Sequence, residues 1–131
     1  MKKTALLNDR ISTLIAEMGH KENLMICDAG MPIPRECERI DISLMPGVPS
    51  FLQTLEAVLH ELAVEKVVLA EEIKQNNKEL EAEIKRIFQD IPIEYISHQE
   101  MKLGMKDSKG IIRTGEFSPF ANIRLISGVV F

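Results

Sequence analysis

The chain has 131 residues, 45% hydrophobic and 27% charged, with a formal net charge of −4. That size and balance fit one domain over residues 1–131 with a real hydrophobic core. An acidic balance with no basic face argues against nucleic acid as a partner, and no apolar run approaches the length of a membrane span. Met1-Lys2-Lys3 superficially resembles the start of a signal peptide, but Asn8, Asp9 and Arg10 interrupt the following apolar stretch too early. Cys27 and Cys37 have no histidine at metal-ligand spacing, which points to a reducing cytoplasm without a disulfide framework.

In chain order, Asn8 predicts the cap of a helix over 9–18, because Ile11, Leu14, Ile15 and Met18 recur at helical spacing and Gly19 can end it. Leu24-Met25-Ile26-Cys27 reads as a buried strand, and the alternation in 39–43 as a second. Ser50 caps a predicted helix through about Ala63, with Leu52, Leu55, Leu59 and Leu62 inward. A third strand covers 66–70. Asn77 is expected to cap a helix to about Gln89, with Leu80, Ile84, Ile87 and Phe88 on one stripe. The region 93–97 is a fourth strand, a short helix follows His98, and 110–113 and 122–126 are the last strands. Strands alternating with helices imply a three-layer α/β/α sandwich with a mostly parallel sheet. The closely spaced late strands suggest a mixed edge.

Three polar residues stand at element ends. His20 follows Gly19 directly, where a histidine can satisfy the last helix carbonyls or work as an acid. Asp28 ends the Leu24–Cys27 strand, and the carboxyl ends of strands in open α/β sheets are where ligands bind. It can cap the Ala29-Gly30 turn, or hold a substrate hydroxyl or act as a base. His98 ends the fourth strand, while His60, opposite its helix's leucine stripe, reads as solvated. Asn122 at a strand start can bond a ligand or only its own loop. Glu71-Glu72 reads as part of a solvated helix face.

Two imidazoles and a carboxylate without a compelling nucleophile suit proton transfer better than covalent catalysis. The glycines assemble no phosphate loop. His20, Asp28 and His98 lack the HExxH-like spacing of a metal site. Asp28-Ala29-Gly30-Met31-Pro32 is similar to a run in receiver domains. Such a domain needs an earlier strand ending in an acidic pair and a late lysine, where this chain has a helix and Arg113.

Several motifs in order together resemble the D-ribose pyranase family: Leu7-Asn8, Gly19-His20, Asp28-Ala29-Gly30-Met31-Pro32-Ile33-Pro34 and Arg39-Ile40-Asp41, then Pro49-Ser50-Phe51 and Ala70-Glu71-Glu72-Ile73, then Ser97-His98, Ile112-Arg113-Thr114-Gly115-Glu116 and Pro119-Phe120-Ala121-Asn122. The resemblance spans the whole chain. It implies a cytoplasmic isomerase interconverting pyranose and furanose forms of D-ribose, supplying the ring form used by ribokinase, with no cofactor or metal. It further implies a decamer of two stacked pentameric rings with sugar sites at subunit interfaces. By the same resemblance His20 is the proton donor, and Asp28, His98, Phe120, Ala121 and Asn122 bind sugar. The family usually has Tyr where this chain has Phe120, so a hydroxyl bond is lost there. Alternatives are a mutarotase for another aldose such as fucose and a non-catalytic sugar-binding homologue.

Overall fold

The computed structural model describes residues 1–131. Its strands are β1 (Asn23–Cys27), β2 (Arg39–Asp41), β3 (Val64–Ala70), β4 (Ile93–Ile96), β5 (Gly110–Arg113) and β6 (Ile123–Ser127). They form one sheet in the order β2-β5-β1-β6-β3-β4. β5 pairs parallel with both β1 and β2, and β3 pairs parallel with β4; β6 runs against its neighbours β1 and β3. The sheet is mostly parallel, as the element order implies, but its antiparallel strand lies in the interior and not at an edge. The link from β5 to β6, residues 114–122, explains why: it is shorter than the crossover of about a dozen residues that a parallel return requires. The chain arches over the end of β1 and descends on its far side. β6 therefore joins the β2-β5-β1 half of the sheet to the β3-β4 half.

Helices α1 (Asp9–Ala16), α2 (Phe51–Leu59), α3 (Ile73–Asn76) and α4 (Lys78–Ile87) cover one face. There Ile11, Phe51, Leu55, Ile73 and Ile84 pack on Leu24, Ile26, Leu69, Ile112 and Leu125. The opposite face is thinner: helix α5 (His98–Leu103), a 3₁₀ turn (Gly104–Asp107) and the loop after β1 bring Met101, Met105, Met31 and Ile33 onto Met25, Cys27, Val68 and Ile111. β1 contributes alternate residues to both faces and is fully buried from Leu24 to Cys27, the pattern of a strand covered on both sides.

Local chemistry sets the element limits. Asn8 accepts the Ile11 N–H, while Ser50 and Ser97 each open a helix with a complete capping box. α1 ends at Ala16, before Gly19, whose N–H donates to the Glu22 carboxylate at 2.7 Å. β2 ends at Asp41 because the Asp41 carboxylate takes the Ser43 N–H in an Asx turn. The buried stripe of α2 is Phe51, Thr54, Leu55 and Val58, not the leucine series; Leu52 and Leu59 are half-buried on its margin. α4 starts without a side-chain cap, since Asn77 turns elsewhere, and Ile87 lies outside its buried stripe. His60 is exposed, as its position opposite the helix stripe implies.

Candidate active site

All five parallel-type strands end at the same edge of the sheet, and β6 begins there. The arch 114–122 therefore delivers Asn122 to the carboxyl end of β1. Asn122 is fully buried and clasps Asp28 twice: its Oδ1 accepts the Asp28 N–H at 3.1 Å, and its Nδ2 donates to Asp28 Oδ2 at 2.9 Å. The other carboxylate oxygen accepts the Gly30 N–H at 2.9 Å. Asp28 is thus both the turn residue and an oriented carboxylate.

α5 brings His98 to the same place. Its ring meets that of Phe120 edge to face, 5.1 Å between centroids. Phe120 has φ of 55°, a left-handed conformation that a bulky side chain rarely adopts. Neighbouring bonds hold it there: the Asn122 N–H donates to the Phe120 carbonyl at 2.9 Å, and Asn77 Nδ2 donates to the Pro119 carbonyl and the Ser118 hydroxyl. Ala121 is buried in the larger core.

A second ring of bonds fixes the loops. Arg113 donates from Nε and Nη2 to the Ala29 carbonyl, and from Nη1 to Asp41 and Ser43. Thr114 is fully buried and its hydroxyl donates to the Cys27 carbonyl at 2.8 Å. Glu116 accepts the N–H groups of Phe51 and Ser118. A cavity of about 370 Å³ opens beside Asp28, walled by Gly30, Arg113, Glu116, Phe117 and Ser118. A larger groove of about 430 Å³ along α1 contains surface charges such as Asp9, Arg10, Glu38 and Lys109. Half-buried polar groups held by hydrogen bonds converge on the first and distinguish it from the second.

Burial is the main cause that raises the Asp28 carboxyl above its usual range, opposed by the bonds from Asn122 and Gly30 and by His98. Burial also lowers His98, with Lys102 adding to it and Glu72 and Asp28 opposing. His98 Nδ1 is buried with no hydrogen-bond partner, so a second N–H on that ring would be poorly satisfied. Burial thus disfavours the charged form of both groups. Cys27 is pushed up to about 12 by burial and is an inert core thiol.

The model of the RbsD / FucU transport protein family matches residues 1–130. The chain belongs to that family. Among its RbsD/FucU relatives, D-ribose pyranase of Clostridium perfringens (strain ATCC 13124) is 53% identical over 131 residues, covering 100% of both chains. D-ribose pyranase of Haemophilus influenzae is 52% identical, again over 100% of both. The structure of Bacillus subtilis RbsD complexed with D-ribose superposes with a TM-score of 0.97 at 46% identity, covering 100% of each chain.

Within this RbsD/FucU fold, Asp28, His98, Phe120 and Asn122 come together. His20 does not join them. It lies before β1, at the opposite edge of the sheet, exposed and bonded through Nε2 to Glu65 at 2.9 Å. At about 3.3 Å per residue, β1 alone separates the two edges by roughly 15 Å. Three supporting residues escaped the sequence reading in their structural roles. Asn77 has the composition of a cap but braces the arch, Glu116 looks like a turn residue but anchors two N–H groups, and Glu72 looks solvated but faces α5. Glu116 lies in the motif 112–116 and Glu72 in the motif 70–73, whereas no motif pointed to Asn77.

Proposed function

We propose that this chain is a D-ribose pyranase, an isomerase that interconverts the pyranose and furanose forms of D-ribose by general acid/base ring opening and re-closure. The observation carrying the reading is the Asp28–Asn122 clasp beside His98 at the strand ends, in a chain so similar throughout to RbsD complexed with D-ribose. Opening the pyranose removes the proton from the anomeric hydroxyl and delivers one to the ring oxygen as the bond between that oxygen and C1 breaks. The open-chain aldehyde then takes up the C4 hydroxyl. That hydroxyl loses its proton as the carbonyl oxygen gains one, and the furanose closes. Asp28 and Asn122 hold hydroxyls, His98 fixes the sugar from the α5 side, and Phe120 and Ala121 supply the adjoining wall and backbone. Aldose rings already open in water, so positioning plus one or two proton transfers is enough.

His20 is the proton donor in this reading, and it comes from a neighbouring copy. Each chain carries the sugar-holding half at one sheet edge and the His20–Glu65 pair at the other. Exposed apolar side chains sit near both: Leu44, Met45, Val48 and Phe117 by the arch, and Val129, Val130 and Phe131 beyond β6. A head-to-tail contact of this kind closes into rings, in keeping with a pentameric ring and a decamer of two. Two free cysteines suit a cytoplasmic enzyme of ribose catabolism, and the one sheet built from strands of the whole chain suits a single domain.

Saturation-transfer NMR on D-ribose measures the exchange between ring forms. His20→Ala and Asp28→Asn are each expected to abolish acceleration, whereas co-expression of both in equal amounts restores about a quarter of wild-type activity, because random neighbours then combine two intact halves in that share of interfaces. Mixed assemblies as inactive as either parent would overturn the neighbouring-copy assignment, and a wild-type rate in His20→Ala would place His20 outside the site. The same measurement with L-fucose tests the other-aldose reading, which the Phe120 side chain makes worth separating.

A further inference from the structure

Glu71 and Glu72 follow the last residue of β3, and they part company. Glu71 is exposed and pairs with Lys74 at 2.7 Å. Glu72 is half-buried and turns toward α5, where both its carboxylate oxygens accept the backbone N–H of His98, at 3.1 and 3.0 Å. β3 and β4 are in parallel register with Ala70 opposite Ile96, and the Glu71 N–H adds a further bond to the Ile96 carbonyl at 2.7 Å. Glu72 stands one step beyond that ladder, so its side chain supplies the acceptor that the backbone no longer offers. The capping box of α5 satisfies the N–H groups of Ser97 and Glu100, but the first helical N–H, that of His98, needs an acceptor from outside. Asn76 Nδ2 donates to the Glu72 carbonyl at 2.7 Å and ties residue 72 to α3.

We propose that Glu72 is the positioning residue for His98, holding the first turn of α5 so that the imidazole meets the Phe120 ring beside Asp28. The inference rests on reading the Asp28–His98–Asn122 cluster as the sugar site. Charge acts alongside placement. The charged groups facing the imidazole are Glu72 from the end of β3, Asp28 from the end of β1 and Lys102 from α5 itself. The two carboxylates favour the protonated ring and Lys102 disfavours it.

Two variants separate placement from charge. In Glu72→Gln the amide oxygen still accepts the His98 N–H while the charge is gone; Glu72→Ala loses both. The His98 titration and the His98–Phe120 ring contact are read by NMR without sugar, D-ribose affinity by calorimetry, and exchange by saturation transfer, with Glu71→Gln as control. Both Glu72 variants are expected to move the His98 midpoint to lower pH. Glu72→Gln keeps the ring contact and binds D-ribose within about twofold of wild type, whereas Glu72→Ala loses the contact and weakens binding about tenfold, raising KM more than it lowers kcat. Glu71→Gln changes none of these. A wild-type His98 midpoint in both Glu72 variants, or a wild-type ring contact and affinity in Glu72→Ala, overturns the proposal. If Glu72→Ala fails to fold, Glu72→Ser, too short to reach the His98 N–H, takes its place, and a wild-type ring contact and affinity in it overturn the proposal. A wild-type protein that ignores D-ribose would sink the sugar-site reading instead, since the two sugar-free measurements stand apart from it.

Discussion

Asp28 and His98 are pushed toward each other on the pH scale, one carboxyl raised and one imidazole lowered, chiefly by burial. Both shifts oppose charge in the same small volume, so each group depends on its hydrogen-bond partners there. Asn122 is what makes the buried carboxylate tolerable. Asn122→Ala removes a donor from the carboxylate and an acceptor from the Asp28 N–H, so the Asp28 carboxyl should titrate at still higher pH by carbon-detected NMR and urea stability should fall by about 1–3 kcal/mol. His98 gives a pH signature of known sign. Its pKa is lower folded than unfolded, so as pH falls below about 6.5 the unfolded chain takes up a proton that the folded chain resists, and stability declines. Urea titrations between pH 7.5 and 5.5 should therefore show a shallower decline for His98→Gln than for wild type; equal slopes would mean the imidazole is not disfavoured in its charged form. At this scale the sequence reveals Asp28, because a carboxylate directly after Leu-Met-Ile-Cys stands out. It hides the partnership with Asn122, which lies 94 positions away.

The arch between β5 and β6 carries most of the site's supporting bonds. It is locked to the loop 44–49, where Pro46-Gly47 forms a tight turn with Gly47 at φ of 81°. Gly47 N–H donates to the Gly115 carbonyl at 2.6 Å, and Gly115 N–H to the Pro49 carbonyl at 2.9 Å. A Cβ on Gly115 would stand against the Val48 and Met45 carbonyl oxygens, which are backbone and cannot swing away. Gly115→Ala should destabilise the fold by about 2–4 kcal/mol in urea denaturation and loosen the cavity beside Asp28. A variant as stable as wild type would show that the two loops can separate without cost. Helix starts were legible because a capping serine acts within its own first turn, as Ser50 and Ser97 do. Asn77 misleads by the same logic: its composition suits a cap, but the carbonyl of Pro119, 42 positions on, captures its amide.

For the whole molecule, the strands and their two-faced burial follow from local patterns, and so does a mostly parallel sheet. Strand order does not, because pairing of β1 with β5 and β6 is settled by how short the arch is and not by any residue within β1. The same topology separates His20 from Asp28. Residues that flank one short strand in sequence sit at opposite edges of the sheet, so closeness along the chain is a poor guide to closeness within one copy when a strand intervenes.

β6 comes last of the six strands yet occupies the middle of the sheet. Until it is in place, β2-β5-β1 and β3-β4 are two fragments with unpaired edges and nothing between them. Sheets that depend on such distant pairings fold slowly, since loop closure must precede the contacts that reward it. It also sets an order of events during synthesis. The strand that unites the fragments is the one that follows Asn122, so the Asp28–Asn122 clasp cannot assemble before the fold itself does. A nascent or truncated chain would expose open strand edges to its neighbours while Asp28 still lacked its Asn122 partner.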